Sequence, residues 1–152
     1  MATQPNYKGA LTQYMTHPEE WTYHIPEGMT TMEGALVEPA AVGMHAAVLG
    51  GAQPGKSIVI LGGGTIGLMV LQACISLGAT DITVVDVIEK RLELAKKLGA
   101  ARVINGKEED TVAVLRSEEM YGDHGVDLVF EAAGAVFTAQ QAVQIVSGAV
   151  KS

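Results

Sequence analysis

The feature that most constrains this chain is the passage from Ser57-Ile-Val-Ile-Leu61 into Gly62-Gly-Gly64-Thr-Ile-Gly67. A β-branched apolar run that breaks into glycines and then into a helical pattern reads as a strand, a tight turn and a helix N-terminus. Each spaced glycine has its own task in such a turn: a sharp reversal, room for backbone to approach a phosphate, and close helix–strand packing. The free N–H groups and positive dipole end of a helix starting near Thr65 suit a pyrophosphate. Asp86 follows about 20 residues further on, at the end of the next strand-like run, where a carboxylate can accept from adenosine ribose hydroxyls and repel a 2′-phosphate. Arg91 lies within reach of Asp86 or of the adenosine end. The pattern therefore favours NAD over NADP; the competing reading is a tight turn without a ligand.

The rest of the chain fits the same plan. Ser57–Leu61, Ile82–Val85, Arg102–Ile104 and Val126–Glu131 read as strands. They alternate with helices over about Thr65–Leu77, Glu89–Leu98, Glu108–Leu115 and Thr138–Val146, with Gly78 and Gly99 as helix stops. Such alternation predicts an α/β fold with a parallel sheet covered on both faces. The 152 residues, 48% hydrophobic, suffice to fill one core. A net charge of −7 without a basic cluster excludes a nucleic-acid or anionic-membrane surface. Leu68–Leu77 is too short to span a bilayer. Cys74 is the single cysteine, which excludes an internal disulfide and a four-cysteine zinc site. With no basic region and apolar stretch at the start, no secretory signal is visible, and the expected setting is cytoplasmic.

Residues 1–30 differ in composition, holding Trp21, Tyr7, Tyr14, Tyr23, His17 and His24. Strand-like runs near Ala10–Met15 and Trp21–Ile25 precede a Pro26-Glu-Gly28 turn. Thr31–Val48 reads as two helical pieces interrupted at Pro39. Glu38, an acid in this apolar stretch, is either a contact for a metal, a water or a base, or a helix-end carboxylate facing solvent. His45 reads as a core histidine. Phe130-Glu131-Ala-Ala-Gly134 ends the fourth strand, so the backbone of Ala132 and Ala133 either lines the nicotinamide side of a crevice or forms a plain small-residue turn.

Taken together, Gly9-Ala-Leu-Thr-Gln-Tyr14, Glu33–Ala46 with its Glu38-Pro39 step, Val59–Leu68, Val85-Asp86, Arg91–Lys96 and Phe130–Gly134 resemble zinc-dependent medium-chain dehydrogenases, in the sorbitol (L-iditol, xylitol) dehydrogenase branch. The resemblance runs from about Met1 to Val146. It implies a Rossmann-type doubly wound sheet of about four parallel strands in order 3-2-1-4. Residues 1–30 would be a β remnant of a GroES-like catalytic domain, and residues 31–152 a partial NAD-binding domain. Glu38 would stand beside the catalytic zinc and Val42 would face the nicotinamide. Gly62, Gly64, Thr65, Ile66 and Gly67 would contact the pyrophosphate, with Asp86 and Arg91 at the adenosine ribose.

The parent reaction would be zinc-assisted hydride transfer from a secondary alcohol of a polyol to NAD, giving a ketose. The other zinc ligands of that pattern, a cysteine and a His-Glu pair, match nothing in these residues. The expectation is therefore an inactive fragment that holds NAD but no stable zinc, and that self-associates through the apolar edge of strand four. The alternatives are a non-catalytic nucleotide-binding or scaffolding module and an S-adenosylmethionine-dependent methyltransferase.

Overall fold

The computed structural model describes residues 9–148, which divide into a unit ending at Ala35 and a unit beginning at Leu36. In the first unit a single 3-10 turn, Glu19–Trp21, is the regular element before helix α1 (Thr31–Gly50). The ring of His17 meets that of Trp21 edge to face at 6.3 Å. The two strand-like runs expected at Ala10–Met15 and Trp21–Ile25 form no strand. Apolar alternation becomes a strand only where a neighbouring strand takes its hydrogen bonds, and among the described residues none pairs with these.

Helix α1 opens with a capping box. Glu33 Oε2 accepts from the Thr30 amide at 2.7 Å, and the Glu33 amide donates to Thr30 Oγ1 at 3.2 Å. Pro39 does not divide the helix, contrary to the sequence expectation. An interior proline costs one hydrogen bond and strains one turn. Alanine-rich flanks favour the helix, and Gly43 packs so closely on Met69 that a Cβ there would lie 2.6 Å from the Met69 carbonyl carbon. Those contributions outweigh the break. His45, expected in the core, is exposed on this helix. Apolar residues surround α1 on all sides, as exposed Leu36, Val37, Val48 and Leu49 show, so no stripe in the sequence marks an inner face.

From Ser57 onward strands and helices alternate: β1 (Ser57–Leu61), α2 (Thr65–Ser76), β2 (Asp81–Asp86), α3 (Glu89–Lys97), β3 (Arg102–Asn105), α4 (Thr111–Leu115), β4 (Leu128–Glu131) and α5 (Val136–Ile145). The four strands are parallel in the order β3-β2-β1-β4. Helix α4 starts three residues later than expected because Asp110 caps it, Oδ1 accepting from the amides of Val112 (3.0 Å) and Ala113 (3.1 Å).

The strand pleat sorts the core into two layers. Ile58, Ile60, Ile82 and Val84 pack with Ala47 of α1, Leu71 and Cys74 of α2 and Ala95 of α3. On the opposite face Val59, Leu61, Val85 and Ile104 pack with Leu115 of α4 and Ile145 of α5. Alternate side chains of one strand thus serve opposite layers, the arrangement of a doubly wound sheet. Cys74 is fully buried, and burial pushes its thiol up to about 11.

β4 ends the strand order, and just below it Val126 already pairs in parallel with Val146, the Val126 amide donating to Ile145 O at 2.9 Å and the Ser147 amide to Val126 O at 2.7 Å. Arg116 fixes this return. Its Nε and Nη2 donate to the carbonyl of Gln144 (2.9 and 2.7 Å) and its Nη1 to that of Asp123 (2.9 Å), placing a cation at the C-terminal end of α5.

Asp127 clips the feet of β1 and β4 together. It accepts from the Ser57 amide (2.9 Å), Ser57 Oγ (2.9 Å) and Lys56 Nζ (3.0 Å). These bonds, the Ser57 amide first, hold its carboxyl below the ordinary aspartate value. A depressed folded value means that the clip stabilises fully above the unfolded value, near about 4, and fades as pH falls through the folded one. In melts between about pH 6 and about pH 3, Asp127→Asn is expected to flatten part of the acid loss seen in the parent chain. An acid limb of unchanged steepness would refute the clip.

Candidate functional site

A cleft of about 550 Å³ opens at the carboxyl ends of the strands, lined by Leu61, Gly62 and Gly64 after β1, Val85, Asp86 and Val87 at β2, Gly106 after β3, and Ala132 and Ala133 after β4. Arg91, Thr111, Phe137, Thr138 and Gln141 close its sides. β2 and β4 flank β1 on opposite sides, so the chain changes winding direction here, and ligands of open parallel sheets bind in the crevice at that point.

The floor is built by the glycine turn. Gly62 stands at φ +107°, and its amide donates to Val85 O at 2.7 Å. A Cβ on Gly62 would lie 2.7 Å from the amide nitrogen of Ala133, so a glycine is required both for the turn and for the neighbouring loop. Gly67, buried in α2, faces the Gly62 carbonyl, which allows the helix to start directly against the turn. Gly64 caps α2 without a side-chain hydrogen bond, and a Cβ on it would meet nothing within 4 Å. No side chain therefore caps the first amides of α2, the condition under which a helix N-terminus can receive an anion.

Asp86 is nearly buried, at 8% exposure, and its carboxylate is heavily engaged. Oδ1 accepts from the amides of Val87 (2.8 Å) and Ile88 (2.9 Å), and Oδ2 from the Gly63 amide (2.7 Å). Arg91 Nη1 stands 3.4 Å from Oδ2, the longest of the four contacts. The sequence marks Asp86 as a group facing a ligand; the structure adds that it also ties the glycine turn to the end of β2.

The opposite wall is the loop after β4, where the Ala132 amide donates to Leu61 O at 2.8 Å. Glu131 organises it, Oε1 accepting from the amides of Ala133 and Gly134 (both 3.0 Å) and from Thr138 Oγ1 (2.7 Å). Burial works against its charge, but these hydrogen bonds, Thr138 first, outweigh that and hold the carboxyl below its ordinary value. Sequence reasoning gave Glu131 no role. The available signal was an acid closing a strand with a threonine one loop later.

The cleft thus gathers Gly62, Gly64, Asp86, Arg91, Ala132 and Ala133, with Thr65, Ile66 and Gly67 at the helix start beside it. Glu38 and Val42 lie on α1, exposed, and are not part of its lining. Among the described residues no three His, Cys, Asp or Glu side chains stand together as a metal site requires. Glu38 has no co-ligands here, so these residues do not fit a zinc ion. Among the described residues, too, no helix is long and apolar enough to cross a membrane.

Fold and cleft together define an α/β domain of the doubly wound type with an open crevice at the switch point of its sheet. The family model for zinc-binding dehydrogenases matches residues 65–149, and the chain belongs to that family. It is 62% identical over 146 residues to YdjJ, an uncharacterized zinc-type alcohol dehydrogenase-like protein of Escherichia coli K12, and 39% identical over 143 residues to sorbitol dehydrogenase of Bacillus subtilis 168. These matches take in 96% and 94% of this chain but 42% and 40% of the relatives, so the chain spans about two fifths of their length. Among solved structures, an Escherichia coli oxidoreductase/dehydrogenase of unknown specificity superposes with a TM-score of 0.88 at 60% identity, covering 97% of this chain and 42% of that one.

Proposed function

We propose that this chain is the cofactor-binding portion of an NAD-dependent polyol dehydrogenase. The observation that carries the reading is the glycine turn, tied by Asp86 to β2 and opening onto the uncapped start of α2 at the switch point of the sheet. In this reading the pyrophosphate lies on the amides of Gly64 to Gly67, the adenosine ribose on the Asp86–Arg91 side, and the nicotinamide half along Ala132 and Ala133. The bound cofactor supplies the hydride acceptor. The residues here bind and orient it.

The substrate class, a polyol oxidised at a secondary alcohol to a ketose, is proposed from the similarity to sorbitol dehydrogenase. Because Glu38 has no co-ligands among the described residues, we propose that these 152 residues alone hold NAD without turning over a polyol. A reducing, cytoplasmic setting belongs to the same reading and is consistent with one buried thiol.

Calorimetric titration tests it. NAD is expected to bind, NADP at least about tenfold more weakly because its 2′-phosphate would face the Asp86 carboxylate, and S-adenosylmethionine not at all. Binding of S-adenosylmethionine in preference to NAD would replace this reading with the methyltransferase one. Absence of NAD binding at millimolar concentration would end it.

A further inference from the structure

Glu131 closes β4 immediately before the wall of the cleft, and the cofactor reading gives it no task. Its geometry is specific. One carboxylate oxygen gathers the amides of Ala133 and Gly134 and the hydroxyl of Thr138, and the other takes a longer contact from the Gly134 amide at 3.3 Å. With the Ala132 amide bonded to Leu61 O, three consecutive amides after β4 are all turned inward and occupied. The loop they belong to is Ala132-Ala-Gly-Ala135, which has no large side chain to pack it in place. Ala133 and Gly134 are exposed.

What holds such a segment is hydrogen bonding, and one ionised side chain supplies most of it. The charge also lies at the start of α5, where the helix dipole favours an anion. Across the cleft the same loop presses on the glycine turn, since the space above Gly62 is filled by the Ala132–Ala133 peptide. A loop that relaxes would therefore change the distance between the two walls.

We infer that Glu131 is a positioning residue for the nicotinamide half of the cofactor: it fixes the Ala132–Ala133 wall against Gly62 and does so without touching the ligand. The inference rests on the cofactor reading above. It predicts an effect larger on the nicotinamide half than on the adenosine half, because the hydrogen bonds of Glu131 go to Ala133, Gly134 and Thr138, whereas those of Asp86 come from Gly63, Val87, Ile88 and Arg91.

The test compares NAD with 5′-AMP, which carries only the adenosine half, by calorimetry on the full chain. Glu131→Ala is expected to weaken NAD about tenfold while leaving AMP within about twofold. Glu131→Gln keeps a carbonyl oxygen for the same three donors and is expected to recover NAD affinity to within about threefold. Amide hydrogen exchange gives a ligand-free readout: Ala133 and Gly134 should be protected in the parent chain, exposed in Glu131→Ala and protected again in Glu131→Gln. Should Glu131→Ala fail to fold, Thr138→Val, which removes one of the three donors, is expected to lower NAD affinity about threefold with AMP unchanged.

Equal losses for NAD and AMP would mean a general structural role and overturn the inference, as would unchanged NAD affinity or unchanged exchange in Glu131→Ala. Failure of the parent chain to bind either ligand would instead defeat the cofactor reading and the inference with it.

Discussion

Gly67→Ala is expected to abolish detectable NAD binding and to lower the melting temperature by about 10 °C, the effect of roughly 3 kcal/mol in a chain of this size. The added methyl group would overlap the Gly62 carbonyl oxygen and stand 3.3 Å from Ile60 Cγ2. Neither side can yield easily. The Gly62 amide is bonded to Val85 O, and its Cα is enclosed by the Ala132–Ala133 peptide, so the turn has nowhere to retreat. Helix α2 would have to lift from the sheet and take the buried Val70, Leu71 and Cys74 with it. Gly64→Ala is the informative control. At φ −73°, with open space around its Cβ position, that residue is expected to accept alanine with a melting temperature within about 2 °C of the parent. Circular dichroism melts of the two variants decide the point: similar melting temperatures would show that α2 is not seated as described.

Asp86→Ala is expected to act on stability and binding together. It strips the acceptor from the amides of Gly63, Val87 and Ile88, in a place where the carboxylate itself is nearly buried. An orphaned buried donor costs about 1–3 kcal/mol, which applies in full to the Gly63 amide, while water reaches the amides of the exposed Val87 and Ile88 and offsets part of their loss. A loss of about 3 kcal/mol and a melting temperature lower by about 6–12 °C are expected. On the proposed cofactor reading NAD affinity is expected to fall more than tenfold, because the glycine turn loses its tie to β2 along with the carboxylate proposed to accept from the ribose. Asp86→Asn separates the two contributions. Its single oxygen can serve the Gly63 amide or the Val87 and Ile88 amides but not both sets, so its stability should lie between those of the parent and Asp86→Ala. A melting temperature unchanged in Asp86→Ala would show that Asp86 serves the ligand alone.

The sheet was legible because its signals are local. β1 occupies Ser57–Leu61 as the run of β-branched residues suggested, and helices α2 and α3 end beside Gly78 and Gly99. The strand order came from the family resemblance and is the order found. What the sequence could not show were consequences of distant partners. The apolar runs before Pro26 look like strands, but a strand requires a neighbour, and alternation alone does not say whether one exists. Pro39 predicts a break by a local rule; packing of Gly43 on Met69 decides otherwise.

The site divides in the same way. Glycine spacing and the interval to Asp86 are visible in the letters, whereas the three amides bonded to Asp86 depend on how β1 and β2 end side by side. Glu131 was hidden for a related reason, since its partners are backbone amides and any residue types could supply them. Glu38 and Val42 occupy exposed positions of α1 and are not among the residues lining the cleft.

Cys74 gives the molecule an internal reporter. It is the sole thiol in the sequence, it sits between α2 and the sheet, and it is held protonated by its surroundings. Disulfide exchange requires a thiolate in contact with reagent, so the reaction waits for the helix layer to part from the strands. The pace of labelling therefore counts excursions of the layer that carries the glycine turn and the proposed phosphate site. Ligands seated on that site should slow the count in proportion to how firmly they hold the layer shut.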